Sequence, residues 1–204
     1  MDYNTTVSWV LYSIREIVGI SSLRNQILES FLNQDIKKNI EFGRTFGSDS
    51  KKNDLQNYLE KNMKQNKNGK RFLIFSGINR PKYGETHYQG FIIDYEKKCL
   101  YIADPAYTLN GPGIYNPFLA QQQVIPLFKL HNYNTQFIIT SHPCQTSTND
   151  VFCQSWTLYL MIEFLNPIGN IITIPLSQTK RYNILLHFYK KISVQIPEFC
   201  LLFI

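Results

Sequence analysis

Four residues, met along the chain in the order His87, Asp104, Gln145 and Cys153, are of the types that thiol chemistry needs. A cysteine thiolate attacks a carbonyl carbon, and an imidazole takes the thiol proton and later returns it to the leaving group. A carboxylate holds the ring in one tautomer and stabilises its cation. A side-chain amide can join a backbone N–H in holding the oxyanion, and losing one such donor typically costs about 3–4 kcal/mol in the barrier. Taken singly, each has an ordinary structural explanation. A cysteine in an apolar helix is usually a small core residue, and an Asp before a proline is a common turn former. Only their order and spacing make them a candidate site.

For the four to meet, particular elements must bring them together. His87 lies in the apolar run Thr86 to Asp94, and Asp104 directly follows the run Lys98 to Ala103 and precedes Pro105. The link Tyr95-Glu96-Lys97 is hairpin-sized, so the two runs pair antiparallel and bring both residues to one edge of a sheet. Arg71 to Phe75 reads as an earlier buried strand, Gln136 to Thr140 as a central strand, and Val124 to Leu130 as a strand or short helix. Cys153 opens an apolar helix running to Leu165 and stopping before Pro167, with Asn149 or Asp150 expected to cap it. A helix N-terminus and a neighbouring imidazolium both favour negative charge on sulfur. Gln145 falls in the loop between strand and helix.

The rest of the chain reads as support. Val7, Val10, Leu11, Ile14, Ile17 and Val18 recur at helical spacing, and Ser21 or Ser22 opens a second helix with Leu23, Ile27, Leu28, Phe31 and Leu32. A polar, Gly-containing stretch, Gly43 to Asn53, follows. A last amphipathic helix spans Tyr182 to Ile192, and the apolar tail Phe199 to Ile204 is expected to dock into a groove. Helices, then strands, then helices make an α+β chain whose mixed central β-sheet is packed by helices. One domain is expected over 1–204: a mostly helical N-terminal region over residues 1–70, a catalytic sheet and nucleophile helix over 71–165, and a helical C-terminal region over 166–204.

Composition narrows the class. With 44% hydrophobic and 18% charged residues, the chain has enough apolar area to offset the entropy of ordering, so a folded domain is expected rather than disorder. No apolar run approaches a bilayer span, and Met1-Asp2-Tyr3-Asn4 lacks the flank of a secretory signal. Four cysteines in 204 residues do not make a disulfide scaffold, so a reducing compartment is expected. The net charge of +6 permits nucleic-acid contact without demanding it. The Lys-rich segment 51–71, with Lys51, Lys52, Lys61, Lys64, Lys67, Lys70 and Arg71, is the candidate for non-specific DNA contact. A solvated helix and loop is the favoured reading, because no aromatic interleaving makes a stacking platform.

The segments Gly84-Glu85-Thr86-His87-Tyr88-Gln89-Gly90-Phe91, Cys99 to Pro105 and Gln145 to Trp156 together resemble the adenovirus-type maturation cysteine proteases. That family belongs to the larger group containing the SUMO-deconjugating proteases. The resemblance covers about residues 84–165 and is carried by order and spacing. It implies a cysteine-protease fold of the adenain and SUMO-protease type, with His87, Asp104 and Cys153 as triad and Gln145 as oxyanion donor. It implies a narrow cleft suited to Gly at the cleaved bond. The substrates implied are capsid or core precursors cut by a viral maturation protease in the virion and host cytoplasm. The alternative is a ubiquitin-like or SUMO deconjugating protease. The chain departs from the family in carrying Gln154 where Gly usually follows the nucleophile, which is the best support for a third reading, a non-enzymatic virion protein on a degenerate protease fold. The disulfide-tethered peptide of adenovirus proteases is not carried over, since no cysteine lies between His131 and Thr140. No cofactor is expected, with DNA left open as an activator. A zinc site built from His142, Cys144, Cys99 and Cys153 lacks the required spacing, and His187, beside Leu185 and Leu186, reads as structural.

Overall fold

The computed structural model describes residues 21–48, 52–64, 68–79, 86–108, 111–112, 119–146, 152–166 and 171–196. The expected first helix, the capping residues Asn149 and Asp150, and the apolar tail lie outside the described residues. Helices α1 (Ser21–Phe31) and α2 (Gln34–Lys38) lead into strand β1 (Ile40–Gly47), and α3 (Lys52–Lys64) connects it to β2 (Phe72–Asn79). Strands β3 (His87–Asp94) and β4 (Cys99–Ala103) follow, then a two-residue pair, β5 (Tyr107–Thr108) and β6 (Gly111–Pro112). A π-helical turn (Leu119–Val124) runs into α4 (Ile125–Leu130), and β7 (Asn134–Phe137), α5 (Cys153–Leu165) and α6 (Gln178–Gln195) complete the chain.

The main sheet has the order β1-β2-β3-β4-β7. Its outer pairs, β1 with β2 and β4 with β7, are parallel, and the inner pairs are antiparallel. Residues of α1, α5 and α6 pack in one core, around Ile27, Leu28, Trp156 and Leu185. Residues of α3, the π-helical turn and α4 pack in a second, around Leu59, Leu119 and Phe128. Because helices cover both faces, β3 and β4 are buried at every position, which is why they read as continuous apolar runs and not as alternating ones.

The β3–β4 hairpin is set by its turn. Asp94 Oδ1 accepts from the backbone N–H groups of Glu96 and Lys97, both at 3.1 Å, a local Asx turn. Lys98 closes it in the left-handed region at φ 46°. Asp94, fully buried, also takes the Arg71 guanidinium at 2.9 Å, and Arg71 reaches Glu96 at 3.2 Å. One cation of the Lys-rich segment is therefore held by carboxylates at the foot of the sheet. In α3, Leu55 and Leu59 are buried, which makes this helix a core-packing element with a solvated face.

Two expectations need correction. The region up to residue 70 contains β1, which falls largely within what reads as a polar stretch. As an edge strand it keeps Arg44 exposed and Glu41 half-buried, so the apolar alternation is broken. The strand expected at Gln136–Thr140 is β7, an edge strand and not a central one. Beyond it the chain stays extended, with Ile138 N–H donating to Ile102 O at 2.8 Å and Thr140 bridging to Ile172. Of the two readings of Val124 to Leu130, the short helix is the one found, with Pro126 in the first turn of α4, where its missing N–H costs nothing.

Candidate functional site

The site forms where β3 begins and β4 ends. The hairpin register places Gly90 opposite Ala103, so the next pair outward sets Gln89 opposite Asp104, with His87 two residues further along the same face. Direct and diagonal neighbours on one sheet face lie within reach of polar side chains. His87 Nε2 meets Asp104 Oδ1 at 2.8 Å, and the Gln89 amide donates to Asp104 Oδ2 at 2.7 Å. The backbone N–H of Ala106 donates to Oδ1 at 2.9 Å. The carboxylate thus accepts three hydrogen bonds, one of them from the ring. Since a carboxylate only accepts, its contact with His87 is an Nε2–H donor, leaving Nδ1 as the basic nitrogen.

Cys153 reaches His87 because α5 lies close over β3. Gly90 has no side chain, and a Cβ there would come within 2.8 Å of Thr157 Cγ2 and collide with Met161 Sδ. Thr157 Oγ1 also donates to the carbonyl of Tyr88 at 3.2 Å, one turn along α5 from Cys153 and one residue from His87. The Cys153 sulfur lies near enough to act on the His87 ring. With Nε2 on Asp104, the nitrogen left for the sulfur is Nδ1. Burial alone would lower the basicity of the ring. The charge of Asp104, its hydrogen bond, and the Cys153 sulfur outweigh that and raise the His87 pKa to about 9, so the ring is cationic at neutral pH. Cys153 keeps 8% exposure while His87 and Asp104 keep 1% each, so all three are buried and Cys153 is the least enclosed.

The cap position of α5 is Phe152, whose side chain makes no capping hydrogen bond, and the expected caps Asn149 and Asp150 lie outside the described residues. Gln145, 1% exposed, sits in a loop anchored to the turn after Asp104. Pro105 O accepts from the N–H groups of Cys144 at 2.9 Å and Gln145 at 3.2 Å.

Two contributors carried no signal in the linear pattern. Gln89 reads as an ordinary strand residue until the hairpin register is known, and the register is the signal that would have found it. Arg181 of α6, 4% exposed, donates to Thr146 Oγ1 at 2.8 Å and to the Pro175 and Leu176 carbonyls. It fastens the loop residue next to Gln145 from a helix 35 residues away.

The other candidates lie apart. Cys99 stands at the far end of β4 from Asp104. His142 Nδ1 is bonded to Ile174 O at 2.8 Å. His187 lines a groove with Phe31, Tyr159 and Phe188, away from Cys153. Among the described residues no group of three or more His, Cys, Asp or Glu could hold a metal ion, and no helix is long and apolar enough to cross a membrane.

No protein-family model and no curated protein matches the chain. Solved structures do. ChlaDub1 of Chlamydia trachomatis matches at 11% identity over 84% of this chain and 92% of that one, with a TM-score of 0.57. The Chlamydia abortus effector protein ChlaDUB matches at 10% identity over 64% of this chain and 62% of that one, under two thirds of its length, with a TM-score of 0.49. The Chlamydia trachomatis effector protein Cdu1, solved bound to ubiquitin, matches at 11% identity over 86% and 78%, with a TM-score of 0.48. Identities this low speak of fold alone, and ChlaDub1 carries that likeness: the chain shares its fold, a mixed central sheet packed by helices, as expected for the adenain and SUMO-protease type.

Proposed function

We propose that the chain is a cysteine protease in which Cys153 is the nucleophile, His87 the acid–base and Asp104 the residue that orients and charges the ring. The observation that carries this reading is a single imidazole held at 2.8 Å by a buried carboxylate and acted on by the sulfur of a cysteine that opens a helix. The proton of the Cys153 thiol rests on His87 Nδ1 in an ion pair formed before the reaction, and the thiolate sulfur bonds to the carbonyl carbon of a peptide or isopeptide. The carbonyl electron pair moves to oxygen, where the backbone N–H of Cys153 and the amide of Gln145 receive it. The tetrahedral adduct collapses, the C–N bond breaks, and the imidazolium proton goes to the leaving amine. Water, deprotonated by His87, then attacks the thioester and returns the thiol.

For the substrate, we infer a ubiquitin-like protein conjugate ahead of a capsid or core precursor. The solved chain that shares the fold comes from a bacterium, so the likeness lends nothing to a role in virion maturation. Ubiquitin is the first substrate to try, since Cdu1 of the same organism is solved bound to it. The deciding experiment offers the chain ubiquitin conjugates, SUMO conjugates and short Gly-Gly peptides, beside Cys153→Ala. Cleavage of a conjugate by the wild type, lost in Cys153→Ala, is the expected result. Cleavage of the peptides alone would restore the maturation-protease reading. Equal cleavage by both proteins would remove Cys153 as nucleophile and point to Cys144 or to a contaminant, whereas no Cys153 labelling by a thiol-reactive probe near neutral pH would favour a non-enzymatic scaffold.

A further inference from the structure

We propose that Gln89 is a positioning residue of the site: its amide fixes the Asp104 carboxylate so that Oδ1 faces the imidazole of His87. This inference rests on the protease reading above for its catalytic consequence, and on geometry for its structural one.

Gln89 is fully buried in the middle of the sheet. A glutamine there is expensive, because each of its polar atoms leaves water. Its Nε2 donates to Asp104 Oδ2 at 2.7 Å, whereas its Oε1 has no partner among the described residues. Half of the side chain is thus left unsatisfied while the other half is spent on Asp104. A leucine or methionine would fill the same space without the orphaned acceptor, so the amide is accounted for by its bond to the carboxylate and not by packing.

The chemistry of that bond is specific. With Oδ2 held by Gln89, and Oδ1 held by the Ala106 N–H, the carboxylate plane cannot rotate away from the ring. A neutral amide orients the carboxylate without neutralising it. An arginine or lysine in its place would hold the oxygen equally well but would cancel the charge that keeps His87 cationic. The bond also discriminates between protonation states, because Nε2 can donate only to an oxygen that carries no proton. Gln89 therefore supports the ionised form of Asp104, the form that pairs with the imidazolium. The titratable groups that act on His87 among the described residues are Asp104 and Cys153, and Gln89 acts on the first of them.

The test uses the full chain and two readouts. Gln89→Met keeps the volume and removes the donor. In an NMR titration of the imidazole signals, with His87→Gln supplying the assignment among the four histidines, the His87 midpoint is expected to fall by about one pH unit or more toward 6.5. The rate of Cys153 alkylation by iodoacetamide at pH 7 should fall about tenfold, the order expected when a supporting hydrogen bond is lost. Gln89→Glu provides a rescue. Its carboxyl donates to Asp104 only when protonated, so its Cys153 alkylation relative to wild type should recover as pH falls. A merely structural role would lower the melting temperature of Gln89→Met and leave the His87 midpoint where it is, and that result overturns the inference. If the His87 midpoint moves as expected but neither protein cleaves any conjugate or peptide, the positioning role stands and the protease reading fails.

Discussion

Gly90→Ala isolates the contact that sets the sulfur against the imidazole. The added Cβ would stand 2.8 Å from Thr157 Cγ2, where carbon atoms ordinarily rest at about 3.5–4.0 Å. Met161 can swing its sulfur aside. Thr157 is less free, being β-branched and bonded through Oγ1 to the Tyr88 carbonyl. The remaining relief is for α5 to lift from β3 by up to about 1 Å. Overpacking of this kind costs roughly 1–3 kcal/mol in stability, and a misplacement of about 1 Å costs on the order of a hundredfold in rate. The second figure decides the prediction, because Cys153 lies only one turn before Thr157. Gly43→Ala is the control. Its Cβ would collide with Tyr58 Oη of α3 and meet Phe75 Cβ at 3.0 Å and Ile74 O at 3.1 Å, remote from α5. Urea unfolding should show comparable losses for both variants. Iodoacetamide labelling of Cys153, followed by mass spectrometry, should slow only in Gly90→Ala. Adding Thr157→Ser, which removes the methyl and keeps the hydroxyl, should restore much of the rate. Unaltered labelling in a destabilised Gly90→Ala would refute the claim that this close approach sets the site.

Two further outcomes follow from buried charge. The rise of the His87 pKa from 6.5 to about 9 corresponds to roughly 3 kcal/mol of stability; being a raised basic group, it contributes in full below pH 6.5 and is lost as pH climbs through 9. The urea-measured stability gap between wild type and His87→Gln should therefore shrink by that order between pH 6 and pH 10, and a gap constant across the window would contradict it. Arg24, 1% exposed, donates to Thr45 Oγ1, Ser76 Oγ and Gly43 O at 2.8–3.0 Å, pinning α1 to β1 and β2; Arg24→Met should cost about 2–4 kcal/mol in urea unfolding, and a loss under about 1 kcal/mol would show that the bonds are dispensable.

What the linear pattern carried, and what it did not, has a physical pattern. Strands β3 and β4 and helix α5 were legible because burial on both faces writes itself as unbroken apolar runs, and the start of α5 falls at Cys153 as expected. The pairing of His87 with Asp104 followed from the hairpin. Edge strand β1 did not show, because exposure at Arg44 and half-burial at Glu41 dilute its alternation. The partnership of Gln89 with Asp104 required the register, which depends on the turn chemistry of Asp94. The anchoring of Thr146 by Arg181 is a long-range contact with no local trace. The cap position of α5 is Phe152, a buried core residue whose ring packs against Tyr182, a placement set by the core and not by local cap propensity.

The turn Asp104-Pro105-Ala106 ties these elements into one device. The residue before a proline is steered away from helical backbone toward extended geometry, so the alternation of β4 carries on for one more residue and delivers the Asp104 side chain to the face of His87 and Gln89. The chain then turns at once. Tyr107 N–H donates to Asp104 O at 3.0 Å, while the Ala106 N–H binds the carboxylate. Proline has no N–H to satisfy, and its carbonyl accepts from both Cys144 and Gln145. Asp104 and the loop that carries Gln145 are thus held by adjacent residues. A displacement of this turn moves Asp104 and Gln145 together, even where they shift against α5. The relation left to be fixed separately is that between the turn and the sulfur, and the close contact of Gly90 with Thr157 supplies it.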